Sequence, residues 1–337
     1  MTTRIALDAM GGDQAPRETV RGALEATLAD PDLEVVLVGD QKDIERELAH
    51  SGMTPQRVSI THASQNIGCD ESPVKAIRAK PDASIVRAFE LVARGEASGL
   101  VAAGSTGAAV AAAHFILRLI PGVERAGIAV TFPTRQGGHT VMCDVGANIS
   151  CKPIHLRDYG IMAAAYAKHV MGRDVPRIGL LNVGSEEAKG NELVKETHKV
   201  FADARGEFAF IGNVEGNDIF DGSVDVVVCE GFAGNVVLKA AEGLYEAFSG
   251  LMHDLLSETK AAGDARVTLA VGEFLARFKS RMDYAEYGGA PLLGVNGLCM
   301  ISHGRSDARA IKNALLLAAR FTRNRVLDHI HRGLGAA

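Results

Sequence analysis

The five cysteines, Cys69, Cys143, Cys151, Cys229 and Cys299, lie far apart and form no CxxC pair. An odd count at scattered spacing speaks against a disulfide framework and reads as reduced thiols in a cytosolic protein. No stretch approaches about 18 uninterrupted apolar residues, so no membrane-spanning helix is expected. The chain opens with Met1-Thr2-Thr3-Arg4 and passes directly into a strand-like run, without an apolar segment or small-residue cleavage site. No signal peptide is therefore expected. Basic excess is absent as well. A net charge of −5 and a pI near 6.1 argue against a general nucleic-acid binder, which carries a basic face.

Several catalytic signatures are missing too. No GxGxxG follows a strand with an acid about twenty residues on, so the usual dinucleotide fingerprint is absent. There is no HExxH, no GxSxG elbow and no HxE paired with a Cys motif. The 11 histidines are dispersed and read singly as surface or core residues. Neither a metal site nor a cofactor is expected.

What is present is ordinary globular material, 47% hydrophobic and 23% charged, with enough chain for a large core. Strand-like runs at 4–9, 33–39, 57–62, 98–102, 126–133, 138–144, 177–183, 207–212, 224–229 and 297–302 alternate with helical patterns. The helices are expected at 16–29, 41–50, 82–94, 106–118, 155–171, 190–203 and 306–330. Residues 233–257 and about 266–282 read as a hairpin of helices broken at Gly263-Asp264, the first roughly 36 Å long. This alternation predicts an α/β fold with a mostly parallel sheet covered on both faces. No repeat, low-complexity tract or linker divides the chain, so residues 1–337 are expected to form one domain with the hairpin, about 233–282, as a subregion.

Candidate chemistry collects at strand ends, where helix N-termini point at ligands. Asp8-Ala9-Met10-Gly11-Gly12-Asp13 sets two aspartates around glycines whose N–H groups can approach a ligand closely; a plain tight turn is the alternative. Gly104-Ser105-Thr106-Gly107 opens a helix and offers N–H groups and hydroxyls to an anion. No Lys follows its second glycine, which excludes a Walker loop, and tight helix–sheet packing is the alternative. In Gly184-Ser185-Glu186-Glu187-Ala188-Lys189-Gly190-Asn191, Lys189 can hold a phosphate, although the loop viewed alone reads better as a solvated turn with a helix cap. In Glu230-Gly231-Phe232-Ala233-Gly234-Asn235, the Asn235 amide can donate to a developing oxyanion. Asp144-Val145-Gly146-Ala147-Asn148 and Tyr287-Gly288-Gly289-Ala290-Pro291 have the same character. Cys229, beside Glu230, reads as a buried strand-end thiol rather than an acyl-carrying nucleophile.

Together these segments resemble the phosphate acyltransferase family of bacterial phospholipid synthesis, the acyl-ACP:phosphate acyltransferases. The likeness runs through ALDAMGGD (6–13), ESPVKAIR (71–78), AGSTGA (103–108), DVGANISCKP (144–153), NVGSEEAKG (182–190), EGFAGNVVLKAAEG (230–243), YGGAPLLGVNG (287–297) and SHGRS (302–306). The resemblance implies conversion of acyl-ACP (ACP, acyl carrier protein) and inorganic phosphate to acyl phosphate, which a membrane acyltransferase uses on glycerol 3-phosphate. It also implies a homodimer, a cytoplasmic location with peripheral membrane association as an open alternative, and contact with that membrane glycerol-3-phosphate acyltransferase. The implied fold is a three-layer α/β/α sandwich similar to phosphate acetyltransferases and isopropylmalate dehydrogenases. Ser105 stands where the family usually has Asn, Ser185 where it has Glu, and Arg125-Ala126-Gly127 where Arg-Pro-Ala is typical.

A thioester is already activated, and phosphate at neutral pH is nucleophilic without a strong base. Catalysis then needs a phosphate site, a held carbonyl and oxyanion donors rather than a triad or metal. Lys189 and Asn235 are the expected catalytic pair. Asp8, Gly11, Gly12, Asp13, Gly104, Ser105, Thr106, Gly107, Asn148 and His303 are the expected substrate-binding set. In the hairpin, Leu244, Phe248, Leu251 and Leu255 share one face, and Val267, Val271, Phe274 and Phe278 share another. Arg277, Lys279 and Arg281 give the second helix a basic side suited to an acidic carrier protein; a helical pair completing the core and a dimer interface is the alternative. A nicotinamide-dependent dehydrogenase, a CoA-dependent phosphate acetyl- or butyryltransferase and a membrane-docked scaffold are the rival readings.

Overall fold

A computed structural model describes residues 2–68, 70–204, 206–261, 265–282 and 288–335, with the backbone alone at 261, 265, 277 and 279–282. The chain runs β1 (Thr3–Asp8), α1 (Arg17–Ala29), β2 (Leu33–Gly39), α2 (Gln41–His50), β3 (Val58–His62), α3 (Pro73–Ala79), α4 (Ser84–Ala93), β4 (Gly99–Ala102) and α5 (Thr106–Ala112). It continues through β5 (Gly127–Pro133), β6 (His139–Cys143), α6 (Pro153–Met171), β7 (Arg177–Leu181), α7 (Glu192–Asp203), β8 (Ala209–Val214), α8 (Asp218–Asp221) and β9 (Val226–Val228). The long hairpin α9 (Gly231–Ala261) and α10 (Ala265–Met282) precedes β10 (Ala290–Leu293), β11 (Cys299–Ile301), α11 (Ala308–Arg323) and α12 (Val326–Gly333).

Side chains alternate across a strand, and here both faces are apolar. In β2, Leu33, Val35 and Leu37 enter one core while Val36 and Val38 enter the other. The same division separates Ile5 and Leu7 from Ala6 in β1, and Val226 and Val228 from Val227 in β9. Helices α1, α6, α7, α11 and α12 cover the first face; α4, α5 and the start of α9 cover the second. The result is the expected α/β/α layering.

Among the described residues the sheet has the order β3-β2-β1-β4-β11-β10-β5-β6-β9-β7-β8. β10 is antiparallel to both β11 and β5, and β5 is antiparallel to β6, whereas the other ladders are parallel. The half that contains β1, β4 and β11 therefore points opposite to the half that contains β6, β9 and β7. Two carboxyl edges result, and they face each other across the short central strands. Period counting alone does not reveal this reversal, because β10 has only four residues and was not expected from the sequence.

Other differences are local. The helix expected at 106–118 becomes α5 followed by a π-helical turn at Ala113–Leu117. The helix expected at 306–330 breaks into α11 and α12 at Arg325, whose φ is 51°. α3 and α8 were not expected. α9 begins at Gly231 rather than 233, because the Glu230 carboxylate accepts from the N–H of Phe232 at 2.6 Å and of Ala233 at 2.8 Å, capping the first turn. Over its 31 residues it reaches roughly 46 Å.

The start of α9 lies directly on the loop after β6. A Cβ added at Gly234 would meet the Asp144 carbonyl oxygen at 1.9 Å, and one at Gly231 would meet the Asn148 carbonyl oxygen at 2.6 Å. Removing a glycine from a helix interior ordinarily stabilises by about 1 kcal/mol. Gly234→Ala is expected to do the opposite, lowering the free energy of unfolding by about 3 kcal/mol through overpacking against backbone. Urea denaturation checks this; a variant as stable as the parent would show that α9 does not rest on Asp144.

Candidate active site

Three loops meet at the first carboxyl edge. A Cβ on Gly11 would stand 2.9 Å from both the Gly104 nitrogen and an Asp8 carboxylate oxygen, so the loops after β1 and β4 are in contact. Gly12, at φ 106°, turns the chain so that the Asp13 N–H donates to the Gly304 carbonyl at 2.8 Å. That bond ties in the loop after β11. Asp8 is buried beneath, receiving the Met10 N–H at 3.2 Å and hydrogen-bonded to the Ser84 side chain. Burial pushes its carboxyl up to about 6.

At the opposite edge, Asp144 organises the loop after β6. One carboxylate oxygen accepts from the N–H groups of Ile128 (3.0 Å), Gly146 (3.1 Å) and Ala147 (3.0 Å), and the other from that of Asn148 (2.8 Å). The Asn148 amide donates to the Ala126 carbonyl at 2.6 Å and meets the Tyr159 hydroxyl at 2.9 Å. Its side chain is therefore engaged in holding the loop.

Between the two edges, against the central strands, is a cavity of about 300 Å³. Of the expected residues it brings together Thr106, Asn235 and His303. It adds five that sequence reasoning missed: Thr131, Lys239, Glu242, Ser302 and Ser306. Lys239 had a signal, since it lies four residues after Asn235 and so on the same helix face. Ser302 opens the SHGRS segment, whereas nothing in the strand pattern marked Thr131. Ser302 is 5% exposed, and among the described residues its hydroxyl has no hydrogen-bond partner. A buried hydroxyl left open at a cavity wall is a donor held ready for a ligand.

His303 accepts the Arg305 N–H at Nδ1 (3.1 Å), so the neutral ring carries its proton on Nε2. Burial, then the Lys239 charge, lowers its pKa. Lys239 pairs with Glu242 at 2.7 Å. Gly146 packs beside Asn235, whose Oδ1 would lie 3.5 Å from a Cβ there.

The other expected residues whose side chains are described do not line this cavity. Ser105 caps α5 by accepting the Ala108 N–H at 3.3 Å, and Gly107 packs against Pro73. Lys189 is exposed on the loop after β7, at the same carboxyl edge as the start of α9, and does not line the cavity. The side chains of Arg277, Lys279 and Arg281 lie outside the described residues, as do Cys69 and Tyr287. Cys229 is buried, its thiol donating to the Asp144 carbonyl at 3.3 Å; burial and then the Asp144 charge push it far above the ordinary thiol range. Among the described residues no three His, Cys, Asp or Glu are placed to hold a metal ion.

The family described as "Fatty acid synthesis protein" matches residues 3–329. A protein from Pelotomaculum thermopropionicum named Phosphate acyltransferase is 49% identical over 327 residues, covering 97% of this chain and 94% of its own. One of the same name from Desulforamulus reducens is 48% identical over 316 residues, covering 94% and 92%. The chain belongs to the phosphate acyltransferase family. Membership makes it an acyltransferase. Among solved structures, a phosphotransacetylase from Streptococcus pyogenes superposes with a TM-score of 0.64 at 18% identity, covering 97% of this chain and 94% of that one. The EutD phosphotransacetylase from Staphylococcus aureus gives 0.60 at 16%, covering 95% and 94%. At these identities the likeness is one of fold.

In this acyltransferase Asp8 binds its proton more tightly when folded than when unfolded. The stability it contributes is therefore full below its ordinary pKa near 3.8 and is lost as pH rises through about 6. Asp8→Asn lacks this titration. From about pH 4 to about pH 7, urea unfolding should show wild type losing about 2 kcal/mol relative to the variant. A difference that stays constant with pH would mean that Asp8 ionises normally.

Proposed function

We propose that the protein transfers a fatty acyl group from acyl-ACP to inorganic phosphate, in the cytoplasm, supplying acyl phosphate for glycerol 3-phosphate acylation by a membrane acyltransferase. The observation that carries this reading is the cavity between the two carboxyl edges. An amide, a lysine, hydroxyls and a histidine converge there around the buried Ser302 hydroxyl, which has no partner among the described residues, in a chain of the phosphate acyltransferase family.

A phosphate oxygen attacks the thioester carbonyl carbon. The new C–O bond forms, a tetrahedral oxyanion develops, and its collapse breaks the C–S bond. The proton that phosphate brings ends on the departing thiolate, so acyl phosphate and the free carrier thiol balance the reaction. With a thiol pKa near about 8.5 the leaving group needs little help. Asn235 donates to the oxyanion, Ser302 and Thr106 donate to phosphate, and His303 stands where the proton passes. Lys189 supplies the positive charge from the edge of the site, with Asp8, Gly11, Gly12, Asp13, Gly104, Ser105 and Gly107 shaping the phosphate side. Asn148 acts through the Asp144 loop.

Lys189→Ala and Asn235→Ala should each lose about 10²-fold in kcat/KM, the loss typical of one preorganised donor or charge. Acyl phosphate, trapped as hydroxamate from palmitoyl-ACP and phosphate, is the readout. Should Lys189→Ala remain near normal while Lys239→Ala collapses, the cation at phosphate is the one on α9.

The carrier protein docks on the basic side of α10, at Arg277, Lys279 and Arg281. A second copy covers the hairpin near its tip, where Leu251 (65% exposed), Leu255 and Val267 stand in solvent. Steering by charge acts on association and is screened by salt. The KM for acyl-ACP should therefore rise with ionic strength, and charge reversal at Arg277 and Lys279 should raise it and flatten that dependence. A reversed protein with an unchanged KM and salt response would place the carrier elsewhere.

A further inference from the structure

On the other side of α9 from the polar cavity lies a second and larger one of about 760 Å³. Its walls are Phe220 of α8, Leu244 and Phe248 of α9, and Phe278 of α10, with the small side chains of Ala240 and Ala241 between them. Among the described residues its polar lining comes from Thr134 and Arg135, where β5 ends, and from Tyr245. The surface belongs to three separate parts of one chain, so a slender occupant would be enclosed on several sides.

The two cavities share their scaffold. On β5, Thr131 lines the polar cavity and Pro133 the apolar one; the two are about 7 Å apart along a strand. On α9, Lys239 faces the first and its neighbour Ala240 the second. A ligand with its reacting carbonyl beside Asn235 therefore needs few bonds to bring an attached chain into the apolar groove. The size also agrees. At about 30 Å³ per methylene-sized group, a chain of about sixteen carbons displaces roughly 500 Å³.

We propose that this groove holds the acyl chain of the substrate and sets the preference for chain length. The inference rests on the acyl-transfer reading above, and each buried methylene would favour binding by about fourfold. Ala240 is exposed on α9, so a large side chain there fills the groove without entering the core.

The test compares wild type with Ala240→Trp. A fluorescent long-chain fatty acid, parinaric acid, should bind wild type saturably, be displaced by palmitate but not butyrate, and bind the variant at least about tenfold more weakly. This arm needs no turnover. In the second arm, the variant's kcat/KM should fall at least about tenfold with a long-chain thioester and stay within about twofold with a butyryl thioester. Should Ala240→Trp fail to fold, Leu244→Glu at the exposed wall takes its place. Equal binding of the probe to both proteins, no binding to wild type, or equal loss with long and short thioesters would overturn the proposal. So would unchanged probe binding with a shift from dimer to monomer in sedimentation, which would make the groove an interface between copies. Probe binding as expected, with no acyl phosphate formed by wild type from any thioester, would sink the functional reading and leave the groove standing.

Discussion

The Asp144 carboxylate lies fully buried beneath the central strands, and the arrangement around it depends on the donors it collects. It gathers N–H groups from the start of β5 and from the three residues that follow the loop's first turn. Burial alone would drive such a group to its neutral form; the hydrogen bonds act in the opposite direction. Because the loop is held this way, its backbone offers a fixed surface to α9, which approaches closely only through Gly231 and Gly234. The position of Asn235, one residue further on, follows from that contact. Lys239 and Glu242 then follow one helical turn at a time. An amide placed by helix packing on a satisfied loop is preorganised for a ligand in the cavity.

Much of this was legible in the sequence, and the reasons for success and failure are physical. β2 was clear because LEVVLVG is apolar on both faces, and the glycine-rich strand ends were conspicuous because so many recur in one chain. Those at 103–109, 144–148, 230–235 and 287–291 each put a residue into the cavity wall, whereas those at 8–13 and 184–191 do not. What pattern reading missed was direction. β10 is four residues beside a Gly-Gly pair, too short to show a period, yet its two antiparallel ladders reverse half of the sheet. Without that reversal the loops seem to share one rim, and a residue such as Thr131, in mid-strand, has no reason to be near them. The start of α9 was misjudged by two residues because its cap is a glutamate, Glu230, which gripped the first turn with both oxygens.

The distribution of polarity around α9 separates two kinds of work. One flank carries Asn235, Lys239 and Glu242, and the other Val237, Ala240, Ala241 and Leu244. A helix with two differently wetted flanks, standing between a polar cavity and an apolar one, is suited to a substrate with one charged and one greasy end. The buried thiols fit the same division. Cys143, Cys229 and Cys299 are all driven up by burial, so the acyl group has no ready covalent stop on the protein among them.

The order of strands has a consequence for how the molecule is made. β4 borders β1 on one side and β11 on the other, so residues 99–102 wait for residues 299–301 before their second neighbour exists. In between, the growing chain must produce all of β5 to β9 and the α9–α10 pair. At roughly 5–20 residues per second during synthesis, the edge of β4 stands open for on the order of ten seconds or more. The loops of the first carboxyl edge, drawn from residues 8–13, 103–107 and 302–306, are assembled only when the ribosome has nearly finished. A nascent chain released early would carry the amino-terminal half of the sheet with an unpaired edge and no site. Quality control by chaperones and proteases then has a simple structural cue to act on, an uncovered strand beside a stretch of alanines.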